Sequence, residues 1–280
     1  MKKGEAIIGI DLGGTKLASG CISDSKIISK SEVTVPSLAD KATIIELIKS
    51  EIKSLLTTNT TGVGIGVPSV VDTIKGIVYD VQNIPSWDHV PLKDVLEYEF
   101  GIPVKINNDA NCFALAEKYY GEAKGSDNVV GLVCGTGMAV GLISEGHLVE
   151  GPNCGVGEIG MIPYNGENYE YYCSGQYFSN EFKMRGEQVF DLAKKGNQQA
   201  LMIFDYFGNH FGNALLTAAY AYDPEVIAIG GSVSKSREFY ESIAFSKFNE
   251  MVYQNSKSRL KVYFSELEDA GIYGAASLFR

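Results

Sequence analysis

Asp11, Gly13, Gly14, Thr15 and Lys16 close the run Ile7-Ile-Gly-Ile-Asp-Leu-Gly-Gly-Thr-Lys16, an apolar stretch ending in an acid, a glycine pair and a hydroxyl. These residue types suit the phosphates of a nucleotide. Glycine N–H groups approach an oxyanion with no Cβ in the way, and the Thr15 hydroxyl adds a donor. Asp11 suits a magnesium ion held through water, because Mg2+ takes one or two carboxylates and keeps most of its hydration shell. The spacing is not that of a strand-to-helix phosphate loop, which needs G-x-x-x-x-G-K-[ST]. Gly135-Thr136-Gly137 follows a second apolar run, Val129-Val-Gly-Leu-Val-Cys134, and repeats the pattern.

Asn107-Asn108-Asp109 stands where a short apolar run gives way to helical spacing. A carboxylate at a helix N-terminus is stabilised as the anion, so Asp109 suits the acceptance of a proton from a substrate hydroxyl that Asn108 orients. Both residues suit a plain helix cap equally well. Glu158 is a lone acid in Gly155-Val-Gly-Glu-Ile-Gly160, and a carboxylate accepts hydrogen bonds from two adjacent sugar hydroxyls. Asn83 precedes Pro85 and the single tryptophan, Trp87, which suits a sugar contact or a turn asparagine beside a core ring. Gly230-Gly231-Ser232, after an apolar run, lets a ribose or adenine approach the backbone.

The elements that must position these residues follow from periodicity. After the first glycine turn, 17–22 and 26–35 read as returning strands, and 40–56 has helical spacing. A strand at 61–67 ended by Pro68, a strand at 76–81, a helix at 91–100 and a strand at 104–106 lead to the helix after Asn108. In the second half the glycine turn again sits between strands, followed by an irregular tyrosine-rich stretch at 163–177. Helices are expected at 177–194 and 197–222, a strand at 226–229, a helix opening at 230–232, a strand at 260–264 and a helix at 271–279. Strands alternating with helices after a meander indicate an α/β protein. The repeat of strand, glycine–threonine turn, strand implies two similar domains flanking a cleft, each offering one hairpin to a shared phosphate tail. Closure around it would exclude water from the reacting group.

The chain has 280 residues, 45% hydrophobic and 21% charged, which suits two folded domains. Its formal net charge of −10 argues against a nucleic-acid partner. Five cysteines, an odd number with no C-x-x-C pair, read as reduced thiols of a cytoplasmic protein. No apolar run has the length of a signal-peptide core or a membrane span, so no membrane association is expected.

Taken in order, Ile10-Asp-Leu-Gly-Gly-Thr-Lys16, Gly64-Ile-Gly-Val-Pro68, Asn107-Asn-Asp-Ala-Asn-Cys-Phe-Ala-Leu-Ala-Glu117, Gly135-Thr-Gly-Met138, Gly155-Val-Gly-Glu-Ile-Gly160, Asp223-Pro-Glu-Val-Ile-Ala-Ile-Gly-Gly231 and Gly274-Ala-Ala276 resemble the ROK family of sugar kinases and sugar-responsive repressors. The resemblance runs nearly end to end and implies the actin-like ATPase (ribonuclease H-like) fold. It implies an N-terminal domain at 1–118, onto which the last residues, 267–280, return, and a larger C-terminal domain at 119–266. By the same resemblance, residues 11–16 and 135–137 hold the ATP phosphates, Asp109 is the base for the sugar 6-hydroxyl, and Pro68, Asn83, Asn108 and Glu158 line the sugar. The family's further sugar-binding glutamate lies four residues before a Ser-Gly pair, and Glu170 has that spacing before Ser174-Gly175.

One departure stands out. The family follows Glu-x-Gly with a histidine and then a C-x-C-x-x-x-x-C cluster, together a structural zinc site. This chain has Met161 at the histidine position and a shortened loop without the cysteines, so no zinc is expected. The implied activity is ATP- and Mg2+-dependent phosphorylation of a hexose at its 6-hydroxyl. Glucose is the expected acceptor, with N-acetylglucosamine or N-acetylmannosamine, or a catalytically silent sugar-binding protein, as alternatives. Family repressors carry a DNA-binding domain ahead of the first hairpin, whereas here Ile7 already lies in a strand, which favours an enzyme. A homodimer is what the resemblance leads one to expect.

Overall fold

A computed structural model describes residues 4–81, 83–152 and 154–280. The first part of the chain runs β1 (Ala6–Leu12), β2 (Lys16–Ser23), β3 (Lys26–Thr34), α1 (Lys41–Leu55), β4 (Thr60–Val67), β5 (Val70–Asp72), β6 (Ile77–Tyr79), β7 (His89–Val90), α2 (Leu92–Phe100), β8 (Val104–Asn108) and α3 (Asp109–Tyr119). It continues through β9 (Val129–Cys134), β10 (Met138–Ser144) and β11 (His147–Leu148) to a 3-10 turn at Ile159–Met161. Then come β12 (Pro163–Tyr164), β13 (Glu167–Asn168), α4 (Tyr169–Cys173), α5 (Gln176–Phe182), α6 (Gly186–Lys194), α7 (Gln198–Tyr222) and β14 (Val226–Gly230). A second 3-10 turn at Ser232–Ser236 leads to α8 (Arg237–Phe248), α9 (Gln254–Arg259), β15 (Lys261–Phe264) and α10 (Ala270–Ser277).

The chain divides into two compact units. The first comprises 1–124, 148–156 and 266–280, the second 125–147 and 157–265. Residues 148–156 thus fold with the first unit, not with the second half of the sequence as expected, and the second unit is not the larger of the two. Each unit has its own apolar core, one around Ile8, Ile10, Ile65 and Trp87, the other around Leu132, Phe204, Phe207 and Phe211.

The duplication read from the sequence is present in the sheet topology. The first unit's main sheet has the order β3-β2-β1-β4-β8 and the second's β11-β10-β9-β14-β15. In each, the strand before the glycine turn pairs antiparallel with the strand after it and parallel with the strand on its other side. The glycine turns therefore occupy the same place in both sheets, at the C-terminal ends of β1 and β9.

Local chemistry explains most boundaries. α1 starts because the Asp40 carboxylate accepts the Thr43 N–H at 2.8 Å, and it buries Ile44, Ile48, Ile52 and Leu55 at helical spacing. α7 starts at an Asn197 cap, whose side chain accepts the Ala200 N–H at 3.0 Å. The single helix expected at 177–194 is two, because Lys183 adopts a left-handed φ of +56° and ends α5 before α6 begins. The irregular stretch before it contains the β12–β13 hairpin and α4. The expected helix at 230–232 begins as a 3-10 turn, and the α-helix proper starts at Arg237.

α10 returns to the first unit and lies against β1, β4 and α3 at backbone contact. A Cβ on Gly64 would fall 1.9 Å from the Ala275 carbonyl oxygen, and one on Gly9 2.1 Å from that of Ile272. Only glycine in the strands allows the helix this close. Because a backbone oxygen cannot swing aside, Gly64→Ala is expected to cost about 3 kcal/mol by overpacking. Chemical denaturation measures this; an unchanged midpoint would contradict the contact.

Candidate functional site

In the first unit, the Gly13 N–H closes the turn between β1 and β2 onto the Lys16 carbonyl at 2.8 Å. The Gly13 amide expected at a phosphate is thus committed to the turn itself, and the turn amides that do not close it belong to Gly14 and Thr15. A Cβ on Gly14 would stand 2.4 Å from the Asn83 Cβ, so Asn83 packs directly on this turn. Trp87 is fully buried, which makes it a core residue and not a stacking platform for a sugar. Thr15 is exposed, while the exposed Lys16 ammonium pairs with Glu32 at 2.6 Å.

Asp11 ends the strand beneath the turn. A Cβ on Gly271 would meet its Oδ2 at 2.2 Å, so the first turn of α10 passes beside the carboxylate and leaves it room only because residue 271 is glycine. Burial pushes the Asp11 carboxyl up to about 6. Among the described residues no Lys or Arg pairs with it. Asp11 keeps part of its surface open, and a partly desolvated carboxylate with no protein cation beside it fits a hydrated divalent ion.

Asn108 and Asp109 sit at the junction of β8 and α3. The Ala110 N–H is shared between Asn108 Oδ1 at 2.8 Å and Asp109 Oδ1 at 2.9 Å, so both residues cap the helix. Asn108 Nδ2 also reaches the Ser69 carbonyl at 3.3 Å, next to Pro68, which follows β4. The junction is braced from behind. Asn107 Oδ1 accepts the Asn108 N–H at 2.8 Å, Asn111 Nδ2 at 2.9 Å and the Cys154 thiol at 3.1 Å, and its own Nδ2 donates to Glu150. Glu150 and Cys154 belong to the segment that joins the first unit from a distance in sequence, and no local pattern marks them.

In the second unit, the Gly135 N–H bonds the Gly137 carbonyl at 2.9 Å and closes the turn between β9 and β10. The Gly175 N–H meets the Gly135 carbonyl at 2.7 Å, and Gln176 Nε2 meets the Thr136 carbonyl at 2.9 Å. Glu170 also supports this turn: its Oε2 accepts the Met138 N–H at 3.0 Å and its Oε1 faces Gln176 Nε2 at 3.4 Å. Glu158 lies nearby on the 3-10 turn. Much of its surface is exposed, yet burial of the carboxyl, and then the Glu170 charge, raise it above the usual glutamate range.

Gly231, at φ +93°, follows β14, and a Cβ there would fall 2.1 Å from the Cys134 carbonyl oxygen. Ser232 Oγ lies 3.6 Å from where a Gly135 Cβ would be, so the second glycine turn and the Gly230-Gly231 turn are neighbours. Gly135, Thr136 and Ser232 line a cavity of about 830 Å³ together with Arg185, Phe190 and Lys235. The last three were not marked by the sequence, because lone surface cations and one helix-face phenylalanine carry no spacing signal. Neither cation forms an ion pair among the described residues.

A tyrosine cluster ties α4 to α7. Tyr164 stacks on Tyr169 at 4.4 Å between ring centres, its hydroxyl lies 3.1 Å from His210 Nδ1, and Asn213 Nδ2 donates to it at 3.0 Å. The Tyr169 and Thr217 hydroxyls meet at 2.7 Å. Burial lowers the His210 imidazole's affinity for a proton. Among the described residues no three His, Cys, Asp or Glu side chains converge as metal ligands.

The family model of the ROK family matches residues 7–280. The chain belongs to the ROK family. This ROK protein is 32% identical to a glucokinase of Thermotoga maritima, over 98% of its own length and 97% of that protein's. It is 30% identical to an N-acetyl-D-glucosamine kinase of Vibrio cholerae over 84% of its length and 87% of that protein's. Among solved structures it superposes with a TM-score of 0.82 on a ROK family glucokinase from Streptomyces griseus in complex with glucose and AMPPNP, at 27% identity and 98% coverage of both chains. The fold is accordingly the actin-like ATPase fold of ROK sugar kinases.

Proposed function

We propose that this ROK protein transfers the γ-phosphoryl group of ATP to the 6-hydroxyl of a hexose, with glucose as the reference acceptor. The observation that carries the reading is the recurrence of one sheet order in both units, with a glycine–threonine turn at the same place in each. Membership of a family whose similar members include a glucokinase and an N-acetylglucosamine kinase supports it.

In the first unit, the Gly13–Lys16 turn meets the phosphates chiefly through Gly14 and Thr15. Lys16 joins only by leaving Glu32. Asp109 accepts the proton of the attacking hydroxyl as the new O–P bond forms and the bond to the departing ADP oxygen breaks. In a loose transition state its main effect is to align the nucleophile. Asn108, with one hydrogen of Nδ2 left beyond its bond to Ser69, contacts the acceptor beside Pro68, and Asn83, which packs against the phosphate turn, joins it. In the second unit, Gly135 and Thr136 line the nucleotide cavity with Arg185, Phe190 and Lys235 on its wall, and Gly137, Gly230 and Gly231 belong to the two turns that meet beside it. Glu158 accepts the sugar hydroxyls, and Glu170 both shapes the turn and faces the same region. Asp11 fits a magnesium ion held through water, which when bound offsets phosphate charge.

No helix among the described residues is long and apolar enough to cross a membrane. A cytoplasmic homodimer accompanies this reading; the five buried cysteines, which form no disulfide among the described residues, support the reducing compartment. Light scattering measures the assembly.

The deciding assay mixes the protein with Mg-ATP and a hexose panel and follows ADP. Sugar-stimulated ADP release is expected, and release no greater than that of Asp109→Asn would end the proposal.

A further inference from the structure

Asn107 is buried directly before the two residues placed at the reaction, and its side chain has two committed ends. Its Oδ1 takes the Asn108 N–H, and its Nδ2 donates to the Glu150 carboxylate. An amide makes this pair of contacts in one orientation only, since a carboxylate accepts and a backbone N–H donates. Glu150 Oε2 is held in turn by the Thr73 hydroxyl at 3.4 Å, just after β5. Ser69, just before β5, receives Asn108 Nδ2 at 3.3 Å. The hydrogen bonds thus run from Thr73 through Glu150, Asn107 and Asn108 to Ser69, and β5 closes the circuit. Every member belongs to the first unit.

A neighbouring amide shows that this polarity is imposed. Asn111 Nδ2 donates to Asn107 Oδ1 at 2.9 Å, which leaves Asn111 Oδ1 buried with no partner among the described residues. Turning both amides over would give that oxygen Asn107 Nδ2 as a donor and remove the cost of an unmade bond. It would also set an Asn107 oxygen against the Glu150 carboxylate and an NH2 group against the Asn108 N–H. The carboxylate and the backbone N–H together outweigh the orphaned oxygen. Of these two, only Glu150 is a side chain, and it comes from 43 residues away.

We propose that Glu150 is a positioning residue for phosphoryl transfer: as a partner that can only accept, it sets the polarity of the Asn107 amide and, through the Asn108 N–H, the place of Asn108 and Asp109 at the head of α3. The inference rests on the proposed kinase reading, with Asp109 as the base. Glu150 acts on the rate without touching either substrate, because a reacting group displaced by about 1 Å loses up to about a hundredfold.

The test exchanges the chemistry of the two partners while keeping their size. Asn107→Asp sets an acceptor against the Glu150 acceptor, and adding Glu150→Gln supplies a donor again, the new amide donating to the new carboxylate. Steady-state kinetics are measured on the hexose that the panel selects, at alkaline pH so that the two carboxyls do not share a proton. Asn107→Asp is expected to lower kcat about a hundredfold. It is also expected to raise the hexose KM, because Asn108 moves with Asp109, and to leave the KM for Mg-ATP unchanged. The double variant is expected to recover most of both losses. A smaller folded fraction lowers kcat and moves neither KM, and a packing defect is not repaired by a second substitution. Should Asn107→Asp fail to fold, Glu150→Ala carries the same test, with kcat expected to fall at least about tenfold and the same split between the two KM values. An unchanged kcat and hexose KM in Asn107→Asp or in Glu150→Ala, or a double variant no better than the single one, overturns the proposal. A wild-type protein that releases no ADP with any hexose overturns the kinase reading, and this inference with it.

Discussion

Replacing Asp109 by asparagine is expected to lower kcat at least about a hundredfold, the smaller end of what a positioned base supplies. Asparagine is nearly isosteric and keeps an oxygen for the Ala110 N–H, which already bonds Asn108 Oδ1 as well. The cap on α3 therefore survives, and the lost charge at the helix end costs less than about 1 kcal/mol. Steady-state kinetics on the preferred hexose, with a thermal melt beside it, separates the two roles this residue was given. A large fall in kcat with little change in KM or melting temperature marks the base. A near-normal kcat would leave Asp109 as a cap and remove the mechanism.

Asp11→Asn is expected to raise the KM for Mg-ATP on the order of tenfold or more, the usual effect of removing a partner that acts on a metal through its water shell. The same variant carries a pH signature in the nucleotide-free protein. The folded carboxyl is raised from 3.8 to about 6, so the folded state holds this proton more tightly than the unfolded chain does. Its contribution is thus most favourable at low pH and declines as pH rises through the window between those two values. Asparagine, which does not titrate, removes that decline. Denaturant midpoints measured across the window should differ in slope between wild type and variant; parallel curves would show that Asp11 is not desolvated.

Much of this was legible because the decisive signals are local. Asp40 before an apolar helix face, Asn197 before another, and glycine turns after two apolar strands each specify their own geometry within a few residues. The duplicated sheet order followed from the second of those turns. What escaped the sequence depends on residues far apart. Tyr177, Phe178, Phe182, Val189 and Phe190 keep a helical rhythm across a break that Lys183 makes by its left-handed backbone. Glu150 and Cys154 brace Asn107 only because the chain crosses back into the first unit at 148–156. Asn83 suggested a sugar contact beside an aromatic ring, yet Trp87 is sealed in the core and Asn83 rests on Gly14. The Glu170 motif suggested a sugar ligand, while its hydrogen bonds give it a structural task at the second turn.

The docking of α10 on β1 and β4 bears on how the molecule is made. The ribosome delivers the strands of the first sheet long before it translates 270–277, so during synthesis the grooves above Gly9 and Gly64 wait open while all of the second unit emerges. The second unit has every one of its segments in hand by residue 265 and can finish first. The second unit can therefore be complete before the first, whose sheet depends on a late arrival to seal it.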